Sequence, residues 1–403
     1  MDFHNTDDAV TRRVRAFTDR VARLKANDLH YYNMPVAEIL PGMKVRVNGR
    51  EMGMYASYSY LGLVGHPRIN EAAKKAVDKF GTGTNGVRML AGTLTLHKEL
   101  EETIANFKHT EAAVTYSSGY VTNLTVISGL MGRGDYIFSD KLNHASIVDG
   151  CLMSGAEFRR FRHNDMEHLE GLLKNAPSDV AKMVVADAVF SMDGDIVDLP
   201  KMVELCKKYN AWLMVDEAHS VGVLGKTGTG IEEHFNMYGT IDIKMGTLSK
   251  TIPSVGGYVA ANKDIITYLS HASRAYIFSA ALPPAQAAAA NEAFKVILDE
   301  PWRIERLNVN AKQFIGGLKS MGFDTMLTET AIVPVLCGED DTAFAMTREA
   351  QQHDVFVLPV ASPAVPQGLA RLRATVTAAH EPSEIERAMD VIGEAGKKLR
   401  VIS

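Results

Sequence analysis

The sequence predicts an α/β protein, with a large domain on a mainly parallel sheet and a smaller α+β C-terminal domain behind it. Over residues 110–262, short apolar runs alternate with stretches of helical periodicity. After Pro283-Pro284 the texture changes to long helical stretches separated by a few short strands. The chain has 403 residues, 46% of them hydrophobic and 23% charged. That is enough apolar material for a sizeable core and argues against disorder.

The elements follow in order. Residues 8–30 read as a basic, amphipathic helix with a solvated or partner-packing face rather than a membrane-binding one. A short β-like stretch comes next, in which Asn48-Gly49 signals a hairpin turn. From Pro67 onward, Ile69, Ala72, Ala73, Ala76, Val77 and Phe80 share one helical face, and Leu96, Leu100, Ile104 and Phe107 form a second such stripe. The runs AAVTY, DYIFS, KMVVADAVF, AWLMVDEA, IDIKMGTL and GGYVAA are bounded by Gly, Asp and Ser and read as buried strands. Beyond them lie a helical stretch over 285–320, the strand AIVPVL, a helix near 341–352, the strands VFVL and ARLRATV, and a closing helix from Pro382. The expected division is therefore 1–57 as an N-terminal helix and β segment packing on the small domain, 58–284 as the large domain, and 285–403 as the small one.

Charge and cysteine content remove several classes of function. A net charge of −5 lacks the basic footprint of a nucleic-acid scaffold, so no nucleic-acid partner is expected. Cys151, Cys206 and Cys337 form no CxxC and no Cys/His cluster, which supports neither a disulfide framework nor a zinc site; no metal is expected. An odd count of buried thiols fits a reducing compartment. The N-terminal residues are charged and lack the apolar core of a signal peptide. The longest uncharged run, 112–132, carries Thr115, Ser117, Ser118, Thr122 and Asn123, too polar for a lipid-facing helix. A cytoplasmic protein without a membrane span is the expectation.

Two motifs mimic nucleotide sites. Gly81 to Gly86 spells GxGxxG, but a helix precedes it and no helix opens after it, so the pyrophosphate-binding geometry is missing. Gly225-Lys226-Thr227 follows a strand, yet Ser220 stands where a phosphate-cradling loop needs glycine.

Three polar features fall instead at the ends of buried strands, where open α/β sheets place ligands. They are Asp216-Glu217-Ala218-His219 after AWLMV, Thr247-Leu248-Ser249-Lys250-Thr251 after IDIKMG, and Ser117-Ser118-Gly119-Tyr120 after AAVTY. Pyridoxal phosphate (PLP) needs a lysine, a carboxylate to keep its pyridine nitrogen protonated, and an anion cradle. Lys250 fits the first role and Asp216 the second. The Ser118-Gly119-Tyr120 turn, at a helix N-terminus with exposed N–H groups, fits the third.

At this point the chain resembles the α-oxoamine synthases, fold-type-I PLP enzymes that join a small amino acid to an acyl thioester with loss of CO2. The group includes serine palmitoyltransferase, 8-amino-7-oxononanoate synthase, 2-amino-3-ketobutyrate CoA ligase and 5-aminolevulinate synthase. The resemblance runs from about Tyr58 to His380, through SYLGL, GTGTNGVRMLAGTLTLHKELE, SSGYVTN, DKLNHASIVDG, VFSMDGDIVDL, VDEAHSVGVLG, GTLSK, FSAALPP and RLRATVTAAHE. It implies that Lys250 binds the cofactor covalently and then moves protons at the amino acid's Cα. Asp216 would pair the pyridinium nitrogen, while His219 and Ser191 would lie near the phenolic oxygen. His144 would stack on the ring and meet the substrate. Ser118, Gly119 and Tyr120, with Thr247 and Ser249, would hold the phosphate, and Ser279 would reach the phosphate of the other subunit of a homodimer. Arg373 would receive the substrate carboxylate, a task suited to its planar fork, with Arg371 structural.

The chain also departs from the family's pattern. Tyr58-Ser59-Tyr60 stands where an asparagine is common, and Ile252-Pro253-Ser254 replaces small residues after the lysine. Leu358 to Pro363 resembles the mobile loop of serine palmitoyltransferase. The amino acid stays open among glycine, alanine and serine, and the acyl carrier between coenzyme A and a carrier protein. An aminotransferase or lyase of the same fold is the alternative; a non-catalytic binding module would be expected to lack Lys250.

Overall fold

Met183 and Val185 point to one face of a central sheet and Val184 to the other, and all three are fully buried. Apolar cover on both faces is what a parallel sheet requires. The computed structural model describes residues 8–27 and 37–403. Its largest sheet has seven strands in the order Ala112–Tyr116, Pro253–Ala261, Ile243–Ser249, Trp212–Asp216, Lys182–Asp187, Tyr136–Asp140 and Glu157–Phe161. Pro253–Ala261 runs antiparallel to both neighbours, and the remaining pairings are parallel.

Six of these strands coincide with the apolar runs of the sequence; Glu157–Phe161 does not. Its sequence, EFRRF, carries two arginines and lies largely exposed at the sheet edge. An edge strand buried on few sides need not be apolar, and charge there discourages pairing with other chains. A second difference concerns residues 285–320. The helical stretch is two helices, Pro284–Asp299 and Trp302–Ser320. Pro301 lacks an N–H and fixes φ, so the chain turns there.

Two smaller sheets complete the structure. Ala37–Leu40, Lys44–Val47 and Arg50–Met54 form an antiparallel meander, joined in parallel by Val355–Phe356. The meander turns at Asn48 (φ 50°) and Gly49 (φ 79°), the left-handed pair a two-residue hairpin needs. Ile332–Gly338, Ala370–Thr375 and Leu358–Val360 form an antiparallel sheet, covered by Trp302–Ser320, Asp340–Gln352 and Pro382–Lys398.

The N-terminal helix spans Ala9–Ala26, capped by Asp8, whose carboxylate accepts from the N–H of Val10 and Thr11. Residues 28–30, the end of the helix expected from the sequence, lie outside the described residues, as do 1–7 and 31–36. No described helix is long and apolar enough to cross a membrane. Cys151 and Cys206 are buried free thiols, each pushed up by burial to about 12.

Both nucleotide look-alikes have structural explanations. Gly86 is required because a Cβ there would fall 2.7 Å from the backbone N of Gly92. Thr227 gives both its N–H and its hydroxyl to Glu233, at 2.9 and 3.0 Å, so that loop is closed on itself.

Candidate active site

The parallel strands deliver their last residues to one place. Asp216 and Asp187 end adjacent strands in register with each other, and Thr247 and Ser249 end a third. Lys250 follows at once, in the tight connection to the antiparallel strand from Pro253. After Tyr116 the chain enters the helix Gly119–Leu130, whose N-cap Ser118 accepts from the N–H of Val121 at 3.2 Å. Together these ends enclose a cavity of about 240 Å³. Ser118, Gly119, Tyr120, His144, Ser191, Asp216, His219, Thr247, Ser249 and Lys250 all line it. Arg373 and Ser279 do not.

Lys250 Nζ lies 2.8 Å from His219 Nε2, and His219 Nδ1 lies 2.6 Å from the Tyr60 hydroxyl. With Lys250 donating to Nε2, the ring proton belongs on Nδ1 and is donated to Tyr60. Burial pushes His219 well below its ordinary pKa, and the Lys250 and Arg373 charges push the same way, so the ring is neutral. Burial also brings Lys250 down to about 8, partly opposed by Asp216 and Asp187. Desolvation disfavours the charged amine and makes it a better nucleophile near neutral pH.

Asp216 accepts from Asn123 Nδ2 at 2.7 Å and from the N–H of Ala218 at 2.9 Å. Asn123 Nδ2 also reaches Ser146 Oγ at 2.9 Å, and that hydroxyl lies 2.7 Å from His144 Nδ1. The N–H of Ser146 points at the same Nδ1 at 3.2 Å, which fixes His144 with its proton on Nε2. The His144 backbone N–H goes to Asp187 Oδ2 at 3.1 Å. Tyr120 meets the edge of the His144 ring, centroids 6.1 Å apart, and gives its hydroxyl to Asp149.

Arg371 and Arg373 share one face of the strand Ala370–Thr375, and both reach the turn after Val189. Arg371 is consumed there: it pairs with Asp193 at 2.8 Å and donates to the carbonyls of Met192 and Leu369. Arg373 gives Nε to the Ser191 carbonyl at 2.7 Å and Nη1 to Thr375 at 3.0 Å, while its buried Nη2 has no hydrogen-bond partner. The Tyr58 ring lies 4.7 Å from its guanidinium carbon. Ser279 ends the short helix Arg274–Phe278, away from this chain's cavity.

Sequence reasoning passed over Asn123, Ser146, Tyr60 and Asp187. The signal for Asp187 was present, since it ends KMVVAD as Asp216 ends WLMVD. Burial and the neighbouring Asp216 charge raise Asp187 well above the usual carboxylate range. Asn123 and Ser146 sit inside helices, where nothing in the chain marks which face meets the site.

The donor set fits PLP. It offers an amine of lowered pKa, a carboxylate at 5% exposure, and a helix N-terminus whose first N–H groups are open to an anion. The cradle is close-walled, because a Cβ on Gly119 would lie 3.0 Å from Thr247 Oγ1. Capture of PLP by the cofactor-free protein should therefore accelerate about tenfold per pH unit below pH 8 and level off above it, followed by visible absorbance. A midpoint near that of a solvated lysine would contradict the assigned environment.

Comparison with known proteins agrees with this chemistry. The aminotransferase class I and II family profile matches residues 54–392. An 8-amino-7-oxononanoate synthase of Thermoanaerobacter pseudethanolicus is 44% identical over 373 residues, covering 92% of this chain and 94% of the relative. One from Geobacter sulfurreducens is 45% identical, covering 90% and 93%. Among solved structures, serine palmitoyltransferase from S. paucimobilis with a bound PLP–myriocin aldimine superposes with a TM-score of 0.95 at 35% identity, covering 98% of this chain and all of that one. The 8-amino-7-oxononanoate synthase of Francisella tularensis superposes at 0.74 and 27% identity, covering 85% and 97%. Fold and site thus define a fold-type-I, PLP-dependent transferase. The chain belongs to the aminotransferase class I and II family, and within it to the α-oxoamine synthases, PLP-dependent acyltransferases.

Proposed function

We propose that the enzyme joins glycine, alanine or serine to an acyl thioester, releasing CO2 and free thiol and leaving an α-aminoketone. The observation that carries this reading is a second cavity of about 500 Å³ that shares Ser249 and Lys250 with the first. A condensation must hold two substrates against one reactive amine, and two cavities meeting at Lys250 supply that arrangement. Met54, Leu63, Val64, Ile69, Phe356 and Leu358 give the second cavity an apolar part beside the uncharged polar Ser57, Ser59, Asn70 and Ser254, and among the described residues lining it Lys250 is the one charged side chain. Such a lining has apolar surface for the hydrocarbon part of an acyl chain.

When bound, PLP supplies the electron sink that makes the amino acid's Cα–H bond breakable. The chain's own residues do the rest. Asp216 would pair the ring nitrogen, and the Gly119 end of the helix with Thr247 would hold the phosphate. Lys250, next to neutral His219, takes and returns the Cα proton. Arg373, with Nη2 unpaired, would receive the substrate carboxylate, its guanidinium carbon 4.7 Å from the Tyr58 ring. His144, which lines the cavity with its proton on Nε2, would meet ring and substrate. A homodimer in which Ser279 completes the partner's phosphate site, a cytoplasmic location, and the division into 58–284 and 285–403 belong to the same reading.

Two measurements test it. Each amino acid is offered with acyl thioesters of increasing chain length, on coenzyme A and on a carrier protein, and free thiol and CO2 are followed. Release of both with one amino acid is the expected result; amino-group transfer without thiol release would make the protein an aminotransferase. Arg373→Lys should raise the KM for the amino acid roughly 10–100-fold with little change in thioester KM, since one charged, planar contact is lost.

A further inference from the structure

His163 lies outside the cavity, yet it joins two of the pieces that form it. Its Nδ1 is 3.1 Å from Asp140 Oδ1 and its Nε2 is 2.9 Å from Asp195 Oδ2. Carboxylates accept and do not donate, so both ring nitrogens carry protons and the ring is a cation. Asp140 is fully buried and Asp195 nearly so. Asp195 Oδ1 has no hydrogen-bond partner, which leaves His163 as the only side chain that neutralises this carboxylate among the described residues. The His163 ring stands edge-on to Phe190 at 4.4 Å, which fixes its plane. Burial alone would lower its pKa, but the two carboxylates outweigh that and push it up to about 10.

Each carboxylate shapes one wall of the site. Asp140 ends its strand and takes the N–H groups of Leu142 and Asn164, both at 2.8 Å. The loop it bends leads through Asn143, whose amide bonds Val185 O and the N–H of Asp187, directly to His144. Asp195 closes the turn from Phe190: the N–H of Phe190 donates to Asp195 O at 3.1 Å, and that of Gly194 to Phe190 O at 2.8 Å. That turn presents the Ser191 carbonyl to Arg373 and Asp193 to Arg371.

We propose that His163 is a positioning residue for the reaction: a cation clasped between Asp140 and Asp195, it holds the loop that presents His144 in register with the turn that seats Arg373. This rests on the proposed roles of His144 and Arg373 toward the amino acid. His163 touches neither cofactor nor substrate. Without the cation, two buried carboxylates face each other, and the loop and turn separate.

The test uses the PLP-loaded protein with glycine, L-alanine and L-serine as probes, their binding read from the change in visible absorbance. His163→Gln, which is neutral and donates from a single nitrogen instead of two on opposite sides of a ring, should retain PLP but bind the amino acid at least tenfold more weakly and turn over more slowly. His163→Lys, which keeps the charge, should recover part of the loss. Asp195→Asn leaves the His163–Asp140 pair intact and should weaken amino-acid binding while sparing turnover at saturation, because it loosens the Arg373 side alone. If His163→Gln does not fold, this variant still decides the matter. Amino-acid binding and turnover within twofold of the unsubstituted protein in a folded variant, or a lowered melting temperature as the only effect, would overturn the proposal. Failure of the condensation reading is separable, since it appears as absence of thiol release in the unsubstituted protein.

Discussion

Lys250→Ala should remove turnover by about 10³-fold or more while leaving the protein folded. The side chain lies in a connection between two strands, and among the described residues its hydrogen bond is to His219. Little packing is lost, but on the proposed reading the group that binds PLP covalently and the base at Cα go together. General acid–base catalysis alone is worth about 10²–10⁴-fold, and loss of the covalent anchor adds to it. The measurement is thiol release under saturating substrates, alongside circular dichroism and the absorbance of added PLP. A folded variant with full activity would remove Lys250 from the chemistry.

Asp216→Asn should cost roughly 10²–10³-fold in rate, the range for removing one preorganised electrostatic partner of developing charge. The substitution keeps the size of the side chain, so the cavity survives. It replaces a carboxylate that accepts from both Asn123 and Ala218 with an amide that can accept from one and must turn a donor toward the other. On the proposed reading, the ring nitrogen of bound PLP would then lose the charge that keeps it protonated. Amino-acid binding, assigned to Arg373 in the proposed function, should change little, so the loss falls on kcat rather than KM. An equal loss in both would mean that Asp216 shapes the pocket rather than the chemistry.

The readable parts of the chain were those with an unambiguous physical cause. Runs such as KMVVADAVF are apolar because their strands are buried on both faces, and both strands they predict near Asp187 and Asp216 exist. EFRRF escaped because an edge strand answers to solvent on one side and carries arginines without penalty. Pro301 divides a stretch whose apolar period runs on past it, so periodicity alone merges two helices. Within the site, Lys250, Asp216 and the Ser118-Gly119-Tyr120 turn were legible because each ends or follows a strand. The choice of Arg373 over Arg371 gains support from an ion pair, to Asp193, that only three dimensions reveal. Asn123 and Tyr60 hold their partners through contacts across 93 and 159 residues of sequence, and no local pattern encodes such distances.

The order of the central sheet bears on how the protein is made. Ala112–Tyr116 is among the first of its strands to leave the ribosome, yet its one neighbour is Pro253–Ala261, the last. At about 5–20 residues per second, on the order of ten seconds separate the two during synthesis. Throughout that interval a strand with buried Val114 and Tyr116 has an unpaired edge, and Pro253–Ala261 must enter between it and Ile243–Ser249 rather than add at a margin. Nascent chains ending before residue 253 should accordingly be strong clients for holdase chaperones, and release from them should coincide with completion of Pro253–Ala261, the strand that follows Lys250.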